Sequence, residues 1–178
     1  MTDAIFRGWL ERQYYEAMAL AQASDLLELA PLGPAPAQGY VARFHCRSMM
    51  KAPTAQIVET NRVDVAVTFF DDYLRVADPY SLLTVLDPST LYHPNAHPPF
   101  LCIGDVAPGT PLVELLFRVF DVLVFANVTM VEHKAMNKEA CAWARCNIGR
   151  FPLDTRALKR RPDVAAGEID LEIVEEGL

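Results

Sequence analysis

The sequence predicts an α+β domain in which an N-terminal helix precedes a four-stranded antiparallel sheet, an irregular loop and C-terminal helices. Apolar side chains recur at helical spacing in the first 30 residues, alternate with a period of two between residues 40 and 86, and return to helical spacing after residue 110. A proline-rich segment separates the strand-like region from the second helical region, and proline is excluded from the interior of regular elements. This succession of elements is typical of α+β proteins.

The composition favours a single folded domain. The chain has 178 residues, of which 52% are hydrophobic and 22% are charged. That is enough apolar surface for one core and too short a chain for two typical domains. We expect the domain to span residues 1–164 and an acidic tail to occupy residues 165–178.

Charge and cysteine content indicate where the protein works and with which partners. A formal net charge of −7 repels nucleic acid and anionic membrane surfaces, so the expected partners are proteins. The sequence shows no membrane-span pattern and no signal-peptide pattern, which predicts a cytoplasmic protein. In a reducing cytoplasm the four cysteines remain free thiols.

The first helix is predicted to run to about Ala30, with Thr2 or Asp3 as its cap and Pro31 as its end. Its apolar stripe consists of Ile5, Phe6, Trp9, Leu10, Gln13, Ala17, Leu20 and Leu27. A connector rich in proline and glycine follows at residues 31–39.

Four strands are predicted after this connector. They are residues 40–47, 55–60, 63–70 and 82–86. Val63, Val65 and Val67 alternate with smaller or polar residues, which is the period of a strand with one buried face. Turns are expected at residues 48–53, at Asn61 and at Asp78-Pro79. Because the links between the strands are short, an antiparallel meander is favoured over parallel pairing.

The second half of the chain is predicted to be a loop followed by two helices. Residues 87–111 are rich in proline, so we expect an ordered irregular loop without a strand ladder. Thr110 is expected to cap a helix that has Pro111 at its first position and ends near Asn127. A last helix is predicted from near Asn137 to about residue 147.

A thiol and an amide stand close together in this loop. Cys102 lies seven residues after Asn95, which belongs to the turn His93-Pro94-Asn95. That spacing can place a polar amide beside a nucleophilic sulfur. Thioester chemistry needs both, because a thiolate forms the covalent bond and a fixed donor stabilises the oxyanion. We therefore predict that Cys102 is an acyl carrier.

The remaining sulfur and imidazole groups are predicted to have no chemistry of their own. Three cysteines are expected in the core: Cys46, Cys141 and Cys146. His93 is expected to be structural and to bond the backbone of its turn, and His97 to be a solvated loop residue. His93, His97 and Cys102 are also possible zinc ligands, but the intervening prolines and the lack of a fourth ligand argue against a site. We expect neither a metal nor a cofactor.

Four short motifs follow one another along the second half of the predicted domain and the strands before it. They are Asp78-Pro79, His93-Pro94-Asn95, Cys102 followed by an aliphatic residue, and Asn137-Lys-Glu-Ala140. With the helix, the meander and the proline-rich loop, this order resembles the ubiquitin-conjugating (E2, UBC-like) enzymes in a diverged prokaryotic form. The first motif is similar to the Tyr-Pro bend of that family, and the last to its Asn-x-x-Ala helix start. The resemblance covers residues 40–147.

The resemblance implies a function. Cys102 would accept the C-terminus of a ubiquitin-like protein from an E1-like activating enzyme and pass it to an amine of a target protein. Asn95 would orient the loop and stabilise the oxyanion, while His93 and Pro94 would fix the turn. Three residues are candidates for activating the acceptor amine: Asp105, Glu132 and His133. ATP would be used by the activating enzyme, and a bacterial modification pathway, with a role in defence against phage, is the implied context.

Two other functions stay open. The chain could be a catalytically inactive E2-like or RWD-like module that only binds a partner. It could also be a cysteine hydrolase that pairs Cys102 with His93 or His133, although no third group is evident to orient the imidazole. The acidic residues 168–174 alternate with apolar ones and could add a strand to a partner's sheet, or be disordered.

Overall fold

A four-stranded antiparallel sheet organises residues 4–160, the part of the chain that the computed structural model describes. Its strand order is β1 (Leu27–Leu32), β2 (Gly39–Phe44), β5 (Val63–Thr68) and β6 (Leu83–Asp87). The α-helices of the described residues are α1 (Ala4–Gln22), the four-residue α2 (Pro79–Leu82), α3 (Leu112–Leu123) and α4 (Lys138–Cys146). The predicted mixed α+β class is confirmed. The proposed cap at Thr2 or Asp3, the domain end at residue 164 and the acidic tail lie outside the described residues.

Helix α1 is shorter than predicted. It ends at Gln22 instead of Ala30, and Leu27 begins a strand. Its buried stripe is Phe6, Trp9, Leu10, Gln13, Ala17 and Leu20, while Ile5 is exposed. Beyond residue 26 the pattern changes, because buried Leu27 and Leu29 alternate with exposed residues and pair with β2. Period-two burial against a neighbouring strand therefore overrides the helical spacing of Leu27.

The membership of the sheet also differs from the prediction. The predicted strand at residues 55–60 is β4 (Ile57–Thr60), which pairs with β3 (Ser48–Lys51) in a separate hairpin. Residues 48–53 were expected to form only a turn, so that expectation is wrong. Strand β1, which was not predicted, completes the four-stranded sheet and lies at its edge beside β2. The predicted strand at residues 63–70 is confirmed as β5, with Val63, Val65 and Val67 fully buried.

The β3–β4 hairpin supports the approach to the proline-rich loop. The Tyr92 N–H donates to the Met49 carbonyl at 2.8 Å, and the Lys51 N–H donates to the Thr90 carbonyl at 2.9 Å. Met50 and Leu91 form an antiparallel bridge between these two bonds. The residues that lead into the His93 turn are thus held beside β3 by an isolated bridge.

Helix α3 begins in a way that the sequence did not predict. Pro111 is its N-cap and makes no side-chain cap bond, while the Thr110 hydroxyl donates to the Ala107 carbonyl. The Leu112 N–H instead donates to Oε1 of Gln13, 2.8 Å away on α1. The predicted Thr110 cap is therefore wrong, because a buried amide from another helix satisfies the first free N–H of α3.

The end of α3 is also earlier than predicted. The helix stops at Leu123, four residues before Asn127. Phe125 has a φ of +61°, and the N–H groups of Ala126 and Asn127 both donate to the Asp121 carbonyl. A left-handed residue with such backward bonds is a usual way to end a helix, so Asn127 belongs to the closing turn.

Gln13→Ala should destabilise the domain by about 2 kcal/mol, because the Leu112 N–H then loses its buried acceptor and the side chain leaves a void. Gln13 lies on α1, is fully buried, and bonds the first residue of α3. Urea unfolding of the two proteins would measure the difference. Gln22→Ala, at the exposed end of the same helix, is the control and should change stability by less than about 0.5 kcal/mol. Equal effects of the two substitutions would contradict this role for Gln13.

Helix α4 begins where the sequence predicts. Asn137 is its N-cap, and Oδ1 of this residue accepts the Ala140 N–H at 3.0 Å. Cys141 lies on the buried face of the helix, as expected. Cys146 is exposed, so its predicted core position is wrong. It lies two positions past buried Ala144, which places it on the opposite side of the helix.

Asp154, near the end of the described chain, binds the residues that connect β2 to β3. This carboxylate is nearly buried and accepts bonds from the Arg47 N–H at 3.1 Å and from Nη2 of Arg156 at 2.6 Å. The same guanidinium donates to the His45 carbonyl. The Arg156 hydrogen bonds lower the pKa of Asp154 to about 2. Fully buried Cys46 lies beside this junction, in the core position predicted for it.

Asp154→Asn should cost on the order of 1–2 kcal/mol at pH 7, allowing for solvent around the Arg156 guanidinium. Because the folded-state pKa is lowered, this stabilisation is present above the unfolded value near 3.8 and is lost as pH falls towards about 2. Denaturant unfolding between pH 7 and pH 2.5 would show a smaller pH dependence for the variant. Asp25→Asn, whose carboxylate forms an exposed pair with Arg160, is the control. A pH dependence unchanged in Asp154→Asn would rule out this linkage.

Within residues 4–160 there is no helix whose length and apolarity would let it cross a lipid bilayer. The longest of these helices, α1, has 19 residues. It buries one face against the rest of the domain and has charged side chains on the other.

Candidate functional site

The proline-rich loop contains a small hairpin, which the sequence did not predict. Strand β7 (Ala96–His97) pairs with β8 (Phe100–Leu101) across a Pro98-Pro99 turn. The Val85 N–H on β6 donates to the Pro99 carbonyl at 2.7 Å. The expectation of a loop without any ladder is therefore wrong, because the two prolines occupy the turn and leave the pairing positions free.

This hairpin explains the spacing of Asn95 and Cys102. Since Ala96 pairs with Leu101, the next residues outward are Asn95 and Cys102. The Cys102 N–H indeed donates to the Asn95 carbonyl at 2.8 Å. Asn95 and Cys102, which are seven positions apart in the sequence, are thus direct neighbours across the hairpin. These are the two residues on which the predicted chemistry depends.

The Asn95 side chain bridges the loop to a second segment. Its Nδ2 donates to the Cys102 carbonyl at 3.4 Å, and its Oδ1 accepts the Thr129 N–H at 2.8 Å. The backbone N–H of Asn95 is already engaged by Nδ1 of His93 at 2.9 Å. The Asn95 N–H is therefore not free to bond the Cys102 carbonyl, and the side-chain nitrogen of Asn95 donates to that carbonyl instead. Only 6% of Asn95 is exposed, so these bonds are shielded from water.

Cys102 is partly exposed, whereas its neighbours Leu101 and Ile103 are buried. Side chains of an extended segment alternate between its two sides. Because Leu101 and Ile103 face the core, Cys102 faces away from it. Its side chain is therefore on the partly exposed side of the segment.

His93 is a structural residue. It is fully buried, and this burial lowers the pKa of its imidazole to about 3. Nδ1 accepts the Asn95 N–H, so the proton of the neutral ring is on Nε2. Nε2 has no hydrogen-bond partner among the described residues, and the ring packs edge-on against Phe125 at 4.1 Å between centroids. Such an imidazole bonds the turn, as expected, and cannot reach a substrate as a base.

Pro94 fixes the segment that carries two of the predicted acceptor-activating residues. The Pro94 carbonyl accepts the N–H groups of Met136 at 2.9 Å and Asn137 at 3.2 Å. Together with the bond from Thr129 to Asn95, this holds both ends of residues 129–137 against the turn. The segment crosses the loop that contains Cys102, although nothing in the sequence pattern indicated this contact.

Glu132 and His133 lie within this crossing segment. They belong to a short 3₁₀ helix, Glu132–Lys134, and both are exposed. The Glu132 carboxylate is 3.4 Å from the Arg145 guanidinium on α4. Both side chains are therefore accessible from solvent.

Asp105 lies three residues after Cys102 and is exposed. Its carbonyl and that of Ile103 both accept bonds from the guanidinium of Arg118 on α3. Arg118 was missed by the sequence reasoning, as was Thr129. The only signal for Arg118 was a basic residue within an otherwise apolar run of the helix.

The residues around Cys102 form a hairpin that holds a thiol, and they do not form a metal-binding group. Nowhere in residues 4–160 do three or more histidine, cysteine, aspartate or glutamate side chains form a group that could hold a metal ion. His93 is buried and bonded, while His97 is exposed as expected. What the arrangement offers is a partly exposed cysteine whose backbone carbonyl is bonded by a fixed amide. No protein-family model matches the chain, and no curated protein matches it.

Proposed function

We propose that the protein is an E2-like, UBC-like conjugating enzyme. It carries a ubiquitin-like protein as a thioester on Cys102 and transfers it to an amine of a target protein, in a bacterial modification pathway with an E1-like activating enzyme. The observation that carries the proposal is the hairpin register, which sets a partly exposed Cys102 directly opposite a buried Asn95. A role in defence against phage is part of the same proposal.

The reaction consists of two acyl transfers at one sulfur. The Cys102 thiolate attacks the C-terminal carbonyl of the modifier on the activating enzyme, a new C–S bond forms, and the activating enzyme's thiolate leaves. An amine of the target then attacks the same carbonyl, an amide bond forms, and the Cys102 thiolate leaves. The amine gives up its protons to a nearby base or to water. Each step passes through an oxyanion that a fixed donor can stabilise.

The neighbouring residues have distinct parts in this proposal. A carboxamide nitrogen has two hydrogens, and the Cys102 carbonyl takes one of those on Asn95. The second would be donated to the oxyanion. His93 and Pro94 hold the turn that aims this amide, while Glu132 or His133, on the crossing segment, would receive the proton of the amine. Asp105 is another candidate for that part.

The test mixes the protein with ATP, an E1-like enzyme and a ubiquitin-like protein encoded beside it. We expect an adduct that forms only with ATP, is cleaved by an added thiol through acyl exchange, and maps to Cys102 by mass spectrometry. Cys146→Ser is the matched control, because Cys146 is the one other cysteine in residues 4–160 that is not buried, and this variant should charge normally. An adduct on Cys146, or none with any modifier tested, would overturn the proposal.

One observation favours the binding module as a second candidate. Both polar atoms of the Asn95 amide bond main-chain groups, which is also what a purely structural asparagine does. In that case the protein would bind the modifier without forming an adduct. A hydrolase that uses His93 is disfavoured by the burial and low pKa of that imidazole. A hydrolase that uses exposed His133 would cleave a modifier ester without ATP.

A further inference from the structure

The turn that follows Cys102 is held by one guanidinium. Nη2 of Arg118 donates to the Ile103 carbonyl at 2.9 Å and to the Asp105 carbonyl at 2.5 Å. Gly104, between these two residues, has a φ of +86°, a conformation that favours glycine. The two hydrogens of a single nitrogen therefore hold both ends of the turn 103–105.

Arg118 is itself held in place. It projects from α3, whose apolar face is buried in the core, and its guanidinium is 3.8 Å from the Glu114 carboxylate one helical turn away. Only 26% of the Arg118 side chain is exposed. The group that holds the turn is thus part of the rigid scaffold and not of the loop.

Cys102 is consequently fixed from both directions. Asn95 engages the N–H and the carbonyl of Cys102, and Arg118 engages the next carbonyl along the chain. We propose that Arg118 is a positioning residue, which acts through the turn 103–105 to fix the direction in which Cys102 presents its sulfur. This inference rests on the proposed function for its consequence in transfer, but the fixation of the thiol can be tested without it.

Loss of the guanidinium should have opposite effects on two reactions of the same sulfur. Transfer between proteins depends on alignment, so a turn that fluctuates should slow it. A free reagent needs no alignment, and local opening of an ordered loop exposes a partly buried thiol. A residue that only stabilised the fold would not separate the two rates in this way.

The experiment uses the full chain with Cys146→Ser, so that Cys102 is the accessible thiol. In Arg118→Ala we expect alkylation of Cys102 by a bulky maleimide to rise at least threefold. Single-turnover transfer from the charged protein should fall at least tenfold. Arg118→Lys should be intermediate in both rates, because an ammonium donates hydrogen bonds but lacks the planar fork. Arg7→Ala removes a comparable pair with Glu11, 3.6 Å apart on α1, and should change neither rate.

The alkylation rate and the transfer rate together show whether the positioning role or the conjugating function is wrong. Alkylation of Arg118→Ala at the wild-type rate overturns the positioning role, whether or not conjugation occurs. Faster alkylation in a protein that is never charged supports positioning and refutes the conjugating function. If Arg118→Ala does not fold, Gly104→Ala decides, because it strains the same turn while leaving Arg118 in place. It should likewise speed alkylation and slow transfer, and wild-type rates in it would overturn the inference.

Discussion

Cys102→Ala is expected to abolish the covalent adduct completely, and Cys102→Ser to convert it from a thioester, which an added thiol cleaves by acyl exchange, into an ester that resists thiols. The alanine has no nucleophile. The serine oxygen can still be acylated, although more slowly, and an oxygen ester is a poorer acyl donor than a thioester. Gel analysis after charging, with and without an added thiol and with and without mild alkali, distinguishes the three proteins.

The Cys102 variants should fold normally, which makes their loss of activity interpretable. Cys102 is only partly buried, and its hydrogen bonds with Asn95 use the main chain of Cys102, which both substitutions keep. Their unfolding temperatures should therefore lie within a few degrees of wild type. An adduct that survives Cys102→Ala would show that another residue is acylated and would remove the basis of the proposed mechanism.

Asn95→Ala is expected to slow transfer by about 10²- to 10³-fold, the usual effect of removing one oxyanion donor. It should also destabilise the domain by about 1–3 kcal/mol, because the Thr129 N–H and the Cys102 carbonyl both lose a shielded partner. Single-turnover transfer and urea unfolding measure the two effects separately. Asn61→Ala, at an exposed turn, is the control and should change neither.

Asn95→Asp divides the two roles of the amide. A carboxylate can still accept the Thr129 N–H, but it cannot donate to the Cys102 carbonyl or to an oxyanion. We expect a loss of stability at least as large as that of Asn95→Ala, because the charge is buried against the Cys102 carbonyl, with transfer as slow as in the alanine variant. Wild-type transfer by Asn95→Asp would mean that the amide only builds the loop, which is the behaviour of the inactive module.

Local patterns predicted much of the fold. The alternation of Val63, Val65 and Val67 identified β5, and Asn137 correctly marked the start of α4, because both signals act between residues near in sequence. The prediction failed at residues 27–32. There Leu27 fits both a helical and a strand period, and only pairing with β2 decides between them.

The candidate site was predictable only in part. The spacing of Asn95 and Cys102 indicated that the two would be neighbours, and the hairpin makes them so. The contacts with Thr129 and Arg118 could not be predicted, since these residues lie 34 positions from Asn95 and 15 positions from Ile103, and no local pattern links them. The Gln13 amide at the start of α3, 99 positions away, is a similar case.

By itself the sequence determined the α+β class, the position of the thiol and the turn that precedes it. These depend on periodicity and on the restricted backbone of proline, which are properties of short segments. Tertiary structure decided which strands form the sheet, where the Asn95 amide binds, and how Cys102 is held between Asn95 and Arg118. Those features depend on hydrogen bonds between distant segments, and such bonds are selected only when the core brings the segments together.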